Sequence, residues 1–449
     1  MARLVMLQAT YRIVTPMFLG GANPNDCAEL RPASIKGALR FWYRAIDPDY
    51  NKNGNEARIF GGTDKEEGQA MFLLRVEWDQ KPNWQWSKER YQALGEKHSA
   101  FTKRPSTSSG DQRTWTVNGI QYLGYSLGGL GTNNRQAIPA AQSIVLHLLF
   151  RKPPIPPDRK RILAALWLMG HLGGLGSRSR RGFGTLALQD WSVEGDTWPE
   201  INRLTIAHRA SNLTEWKSFF QQARDTLKGE DGWFRLPSMI DHSVLSGNTH
   251  LHLFAKGHKD NDNGVFHGWE LALNEAGKVM QIFRQRWDLN DPSSDYHAVK
   301  AHICDRDSEA SSVGSTLSQP IRPFQLDKAP ARAAFGLPLS FRYSSLAYTR
   351  TRRDGKVIQD RHGHPRLFPP EMQMGGKEHD RSASPIHIRI LQIGDAYHPL
   401  YIRLEAPLLA PNEKIKVVVG RKEDILEPPS GTILDDYWKE LPNGEGMKW

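Results

Sequence analysis

The order of predicted elements in the first 195 residues is the feature that most limits how this chain can fold. Mixed apolar and polar residues predict four strands, at 4–14, 70–78, 142–150 and 185–193. Apolar residues at helical spacing predict a helix at about 35–46 with Ser34 as N-cap. An apolar, helix-like run at 162–172 predicts a second helix, which Asp158 can cap and which ends at Gly173. The order strand, helix, strand, strand, helix, strand is that of the ferredoxin-like, split βαβ fold. We therefore predict an α+β fold.

Residues 79–134 differ in character from the predicted strands on either side of them. They carry Trp84, Trp86, the pair Lys103-Arg104 and a glycine-rich run at 128–131. We interpret this stretch as a long insertion in the first domain.

Beyond residue 195 a second set of elements predicts a second α+β domain. A bridging helix is predicted at 212–227 and a long helix at 269–287, while the polar stretch 290–319 is predicted to be loop. Strands are predicted at 249–254, 336–343, 385–393, 400–404 and 414–419. We therefore expect two domains, residues 1–195 with the insertion at about 79–134, and residues 196–449 with the bridging helix.

Composition narrows the class of protein. The 449 residues carry a formal charge of +10, which suits a nucleic-acid partner. Two distant cysteines, Cys27 and Cys304, exclude a disulfide framework and fit a reducing cytosol. The apolar run at 162–169 is too short to span a membrane, and residues 1–21 lack a signal-peptide apolar core. We expect a cytoplasmic protein that has no membrane partner.

Residues 173–184 form a glycine-arginine loop of sequence GGLGSRSRRGFG. Glycines let a backbone approach a ligand closely, and guanidinium groups match phosphate geometry. No Gly-Lys-Ser/Thr triplet follows the glycines, which excludes a P-loop. The loop has no acidic residue, so the pattern predicts binding to a polyanion backbone, with a solvated basic turn as the alternative.

The first predicted helix carries a basic stripe. Lys36, Arg40 and Arg44 follow one another at i, i+4 and i+8 with no acid interleaved. Like charges at this spacing repel by a few tenths of a kcal/mol per pair. Together with the glycine-arginine loop the stripe favours an RNA-binding face, although a solvated helix face would show the same pattern.

Two N-terminal blocks resemble the signature of the RAMP superfamily. They are TPMFLGGA at 15–22 and LRPASIKGALRFWYR at 30–44. The glycine-arginine loop lies where that superfamily has its glycine-rich loop, between the second helix and the fourth strand. The segments 335–339 and 380–385 resemble motifs of its second half. Within the superfamily the chain resembles the first RAMP subunit of the type III-B (Cmr) CRISPR effector complex.

The resemblance implies two ferredoxin-like, RRM-like domains and a non-catalytic, RNA-binding role in an antiviral ribonucleoprotein. In that family this subunit contacts the 3′ region of the guide RNA and helps to capture target RNA. The expected partners are guide CRISPR RNA, target RNA and other RAMP subunits. The motifs and the basic residues together predict these RNA-binding residues: Arg31, Lys36, Arg40, Arg44, Gly174, Gly176, Arg178, Arg180, Arg181, Gly182 and Arg381.

A catalytic role is the alternative. Some RAMP relatives are metal-independent endoribonucleases that process guide precursors, and His171, just before the loop, is the candidate base. The pairs His250/His252 and His362/His364 lack further ligands at zinc-like spacing, although His379 and Asp380 could approach the second pair. We predict no catalytic residue, no metal and no cofactor.

The candidate site is expected to show weak preference for RNA sequence. Phe41 or Phe183 could stack on a base, but stacking tolerates any base, and phosphate contacts carry no base information.

Overall fold

The computed structural model describes most of the chain. The described residues are 4–21, 23, 25–62, 68–78, 84–87, 89–90, 93, 100–103, 114–125, 127, 135–228, 232–237, 240–260, 267–285, 295–318, 320–360 and 362–449. The chain divides by contacts into two compact units. Unit 1 is Met1–Ile282, Ile386–Ala406 and Leu441–Trp449, and unit 2 is Phe283–Pro385 and Pro407–Glu440. The predicted domain boundary after residue 195 stays a prediction.

The strands and helices of the described residues are numbered in chain order. The strands are β1 (Val5–Ile13), β2 (Phe72–Trp78), β3 (Trp84–Gln85), β4 (Ala100–Lys103), β5 (Thr114–Val117), β6 (Gln136–Ala137), β7 (Ser143–Phe150), β8 (Leu186–Glu194), β9 (His250–Phe254), β10 (Leu339–Arg342), β11 (Tyr348–Thr349), β12 (Leu367–Phe368), β13 (Glu371–Gly376), β14 (Ile386–Ile393), β15 (Ala396–Arg403), β16 (Ile415–Val419), β17 (Lys422–Leu426) and β18 (Gly444–Lys448). The helices are α1 (Pro32–Ile46), α2 (Asn55–Phe60), α3 (Gly119–Leu123), α4 (Pro156–His171), α5 (Leu213–Lys228), α6 (Gly268–Gln285), α7 (Asp295–Arg306), α8 (Ser308–Ser315) and α9 (Ile433–Lys439).

The first sheet of unit 1 has the strand order β2-β7-β1-β8, and all neighbouring strands are antiparallel. Helix α1 connects β1 to β2, and α4 connects β7 to β8. Every second residue of β1 is buried, so this sheet packs one face on the core. The predicted ferredoxin-like, α+β fold is confirmed here.

Both helices of this layer begin differently from the sequence prediction. Helix α1 begins at Pro32, with Arg31 as its N-cap residue, and not after Ser34. Proline is favoured at the first helical position because its fixed φ is helical and its missing N–H would have no helical partner. Helix α4 likewise begins at Pro156. Asp158 does not cap α4, because its buried carboxylate pairs with Arg58 and Arg161.

The second sheet of unit 1 repeats this strand order. Its order is β14-β15-β9-β18, again antiparallel throughout, with α6 following β9 in the chain. In each sheet the third strand along the chain therefore lies between the first and the second. Buried residues of the two sheets, among them Leu7 of β1 and Leu391 of β14, belong to one hydrophobic core.

Unit 2 contains a sheet of order β10-β13-β16-β17 and the helices α7, α8 and α9. The prediction of a loop at 290–319 is wrong, because α7 and α8 occupy most of this stretch. Val299 and Ile303 of α7 are fully buried with strand residues of unit 2. The carboxylate of Asp307 accepts the amide N–H groups of Glu309 and Ala310 and so caps α8. The many polar residues of the stretch hid this short apolar face.

Across the described residues, none of the helices has the length and apolar character needed to cross a membrane.

Candidate nucleic-acid interface

The glycine-arginine loop connects α4 to β8, as the sequence predicts, and both of its ends are held by one side chain of the second sheet. Nη2 of Arg389, on β14, donates hydrogen bonds to the carbonyls of Gly170 at 3.0 Å and Leu186 at 2.5 Å. Burial lowers the pKa of Arg389 to about 9, so the guanidinium is still charged at neutral pH. In the sequence, Arg389 stands out only as a basic residue inside the apolar strand 386–393.

The backbone amides of the loop are largely used to hold its own shape. They donate to main-chain carbonyls from Gly173, Leu175, Ser177, Ser179, Arg181, Phe183 and Gly184. Ser177 donates to Phe18 at 2.8 Å and Gly184 to Pro16 at 2.9 Å, both on the segment after β1. These N–H groups are not available to a phosphate, because their hydrogen bonds hold the loop in one conformation.

Gly176 shows why glycine is required. Its φ is +90°, and a Cβ added there would lie 2.6 Å from the carbonyl oxygen of Phe18. Any side chain would therefore combine an unfavourable backbone conformation with a clash against main chain.

Phe183 anchors the loop in the core. Its ring is fully buried and packs edge to face on Phe18 and Trp86, with both pairs of centroids 5.6 Å apart. This burial excludes the predicted stacking of Phe183 on a base.

The predicted insertion supports the loop, because it contains Trp86. The insertion's Arg104 and its glycine-rich run at 128–131 lie outside the described residues.

Two of the three loop arginines contact neighbouring parts of unit 1. Arg178 has a φ of +64°, unusual for a residue with a side chain, and its Nη2 donates to the carbonyl of Tyr125 at 2.6 Å. Nη1 of Arg181 lies 3.4 Å from the sulfur of Met280. These contacts fix both side chains against the protein.

The third arginine opens into a cleft, which we call the Arg180 cleft. The guanidinium of Arg180 lies 5.4 Å from the centroid of the Phe41 ring. The cleft has a volume of about 120 Å³, and none of its described lining residues is acidic: Ala38, Phe41, Trp42, Leu172, Gly173, Gly174, Ser179, Arg180 and His387. Burial lowers the pKa of Arg180, because no carboxylate compensates the loss of water. The cleft therefore combines a cation with aromatic walls.

His387 forms one wall of the Arg180 cleft and was missed by the sequence analysis. Its side chain is 5% exposed, and its Nε2 has no hydrogen-bond partner among the described residues. Burial and the nearby Arg180 hold the pKa of His387 well below its usual value, so the imidazole is neutral. The amide of Ile388 donates to the carbonyl of Arg180 at 2.9 Å and brings β14 to the loop. No local pattern links positions so distant in sequence.

The basic stripe of α1 is partly neutralised by an acid that the sequence pattern did not reveal. Both oxygens of Glu56, on α2, accept hydrogen bonds from Arg44 at 2.6 Å, and one lies 3.7 Å from Arg40. Arg40 also donates to the carbonyls of Phe60 and Gly61. Glu56 lies outside the helix, so spacing within α1 could not show it.

Lys36 lines a second cleft. Its Nζ lies 5.6 Å from the centroid of the Phe72 ring, and burial, with a smaller effect from Arg40, lowers its pKa. The cleft, of about 370 Å³, runs between α1 and β2.

The remaining predicted residues are distributed over both units. Arg31 is exposed at the start of α1, Gly174 lines the Arg180 cleft, and Gly182 is buried, with its carbonyl accepting from Thr15 at 2.7 Å. Arg381 is exposed in unit 2, in the segment between β13 and β14.

His171 is a structural histidine. It is fully buried, Nδ1 donates to the carbonyl of Trp167 at 2.8 Å, and Nε2 accepts the amide of Ala207 at 3.1 Å. Both ring nitrogens are thus engaged, and burial holds its pKa well below the usual value. The imidazole cannot reach a ribose at the loop.

The histidine pairs do not form a metal centre within the described part of the chain. No group of three or more His, Cys, Asp or Glu side chains there could hold a metal ion. His379, a suggested third ligand, has its Nδ1 3.3 Å from Oε2 of Glu413.

Comparison with known proteins finds similarity in the part of the chain that contains the glycine-arginine loop. Residues 10–187 match the family model of the RAMP superfamily. Over 187 residues, 39% of this chain and 91% of the relative, the sequence is 25% identical to CRISPR system Cmr subunit Cmr1-2 of Pyrococcus furiosus.

A solved structure shares the fold over nearly the whole length. The crystal structure of Cmr1 from Pyrococcus furiosus (apo form) superposes with a TM-score of 0.51 at 15% identity, covering 99% of this chain and 98% of that chain. The match to the family model, residues 10–187, contains α1, α4 and the glycine-arginine loop, together with the end of β1. By sequence, residues 10–187 are therefore similar to the RAMP superfamily.

Proposed function

We propose that this chain is a non-catalytic, RNA-binding subunit of a type III-B CRISPR RNA-guided effector complex. In this role it contacts the 3′ region of the guide RNA and helps to capture target RNA. Its partners are guide CRISPR RNA, target RNA and other RAMP subunits, and its compartment is the cytoplasm. The match to the RAMP superfamily and the similarity to a Cmr subunit support the assignment to such a complex.

The observation that carries the RNA-binding role is the Arg180 cleft. A half-buried guanidinium loses hydration, and here none of the described lining residues offers it a carboxylate. A polyanion that approaches such a group supplies the missing negative charge. The excess of positive charge over the whole chain also favours association with RNA.

Salt dependence of binding tests this role. Each phosphate contact on single-stranded RNA contributes about 0.7 to the slope of log affinity against log salt. We expect Arg180→Gln to weaken binding and to reduce the slope by about that amount. Arg209→Gln is the matched control, since Arg209 already pairs with Asp190. An unchanged slope and affinity for Arg180→Gln would contradict the assignment.

Membership of a complex is tested separately. Affinity purification of the tagged full chain from its host should recover other RAMP subunits together with CRISPR RNA. Recovery of the chain alone would contradict the proposed assembly.

One observation keeps a guide-processing endoribonuclease as the second candidate. His387 is neutral and lies in the same cleft as Arg180, so it has the protonation state of a general base. Labelled guide precursor incubated with the purified chain in the absence of metal distinguishes the two functions. We expect no cleavage, whereas site-specific cleavage lost in His387→Ala would establish the enzyme.

A further inference from the structure

We propose that the Arg180 cleft takes one unstacked nucleobase of the bound RNA. This inference rests on the RNA-binding role proposed above and specifies what enters the cleft. The base occupies the cleft, and a flanking phosphate stays at its mouth, where it keeps the contact with the charge of Arg180 that the salt dependence above tests.

The walls of the cleft suit a flat ring. Phe41 and Trp42 of α1 meet edge to face with their centroids 5.1 Å apart, and the ring of His387 lies 5.9 Å from the first and 6.1 Å from the second. The central guanidinium carbon of Arg180 lies over the Phe41 ring. Proteins recognise single-stranded RNA through unstacked bases that lie on aromatic rings or arginine planes.

The polar groups of the cleft suit the edge of a base. Nε2 of His387 is buried without a hydrogen-bond partner among the described residues, which is a cost that an incoming donor or acceptor removes. A neutral imidazole offers one donor or one acceptor at that atom. Ser179 contributes a hydroxyl to the same lining.

A phosphate fits the cleft less well. Phosphate sites in loops use several converging backbone N–H groups, whereas seven amides of this loop already donate to main-chain carbonyls. Within the described lining, Arg180 is the one cationic side chain. The volume of about 120 Å³ is several times the share of one water molecule, roughly 30 Å³, so the cleft is larger than a single-water site.

Abasic RNA tests the inference. Binding of the purified full chain is compared between single-stranded oligouridine and an oligomer of equal length with abasic spacers in place of every base, so that phosphate charge is the same. We expect the intact oligomer to bind roughly 5- to 150-fold more tightly, the range expected for stacking of one base.

Two variants locate the effect in the cleft. Phe41→Leu removes the ring but keeps an apolar side chain, and Arg180→Lys keeps the charge but removes the guanidinium plane. Each should bring the ratio of the two affinities several-fold closer to one, with the salt slope unchanged. Phe219→Leu, at a partly buried aromatic position of α5, is the matched control and should leave the ratio as it is. Since Arg180→Lys changes no core residue, it remains decisive if Phe41→Leu does not fold.

The outcomes separate this inference from the proposed function. Equal affinity for the two oligomers would overturn the nucleobase site while leaving RNA binding intact. A large ratio unaffected by both variants would place the bound base elsewhere and would also overturn it. Binding of neither oligomer at low salt would overturn the RNA-binding role itself.

Discussion

At the scale of single residues, two histidines near the loop differ in what surrounds them. His171 has both ring nitrogens in hydrogen bonds within the core, whereas His387 lines the Arg180 cleft and its buried Nε2 has no partner among the described residues. Both are buried and neutral. The sequence suggested His171 as a candidate base because it adjoins the loop. Proximity along the chain does not show whether a ring nitrogen already has a hydrogen-bond partner.

The environment of His171 predicts how stability depends on pH. Its pKa in the folded chain is well below the unfolded value of about 6.5, so the unfolded state takes up the proton first as pH falls. The stability that this neutral histidine contributes is present above about pH 6.5 and is lost below it, by about 1.4 kcal/mol per pH unit. Urea unfolding at a series of pH values should show a shallower loss in His171→Gln. The exposed His267 is the control position, and a His171→Gln slope equal to that of the wild type would contradict the prediction.

Gly176 predicts a second residue-scale effect. Gly176→Val adds a side chain at a φ of +90° and against the carbonyl of Phe18. Strain of this kind costs of order 1–3 kcal/mol, so we expect a lower melting temperature and weaker RNA binding because the loop shifts. Gly431→Val is the control, since its Cβ would meet no atom within 4 Å. Normal RNA binding by Gly176→Val would show that RNA affinity does not depend on the conformation of the loop.

At the scale of elements, the loop depends on parts of the chain that are distant in sequence. The carbonyls on either side of it are held by Arg389, and Phe183 is held by Trp86 from the insertion. The insertion is therefore part of what positions the site.

Trp86→Ala tests this dependence. Removing a fully buried indole typically costs about 3–5 kcal/mol because it leaves a cavity, and here the cavity would adjoin Phe183. We expect reduced stability and weaker RNA binding, although no cation is lost. Tyr125→Ala changes an aromatic residue of the same insertion that is 65% exposed, and it keeps the backbone carbonyl that Arg178 contacts. Equal effects of the two substitutions on RNA affinity would refute the supporting role of Trp86.

The elements also show what the sequence could and could not predict. The strands around the first sheet and α1 follow from periodicity, because each buries one face on the core, whereas α4 follows from an apolar run whose residues 162–171 are all buried. The loop's position between α4 and β8 also followed from local pattern. Glu56 beside the basic stripe, His387 beside Arg180, and helix α7 within a polar stretch were missed. The first two depend on contacts between distant segments, and the third on a short apolar face.

At the scale of the whole molecule, RNA binding is expected to show weak sequence preference. Cations that contact phosphates read no bases, and one cleft with few polar groups reads at most one. Single-stranded RNAs of equal length and unrelated sequence should differ in binding free energy by less than ~2 kcal/mol at one salt concentration. Larger differences would mean that the protein reads sequence itself, which would favour the guide-processing enzyme.

Crosslinking tests most directly whether RNA occupies the Arg180 cleft. Single-stranded RNA containing photoreactive uridine is irradiated with the purified full chain, and the crosslinked tryptic peptides are identified by mass spectrometry. We expect crosslinks in the peptide of residues 41–44, which carries Phe41, and far fewer of them in Arg180→Gln. Crosslinks confined to peptides outside the cleft, unchanged in Arg180→Gln, would contradict it.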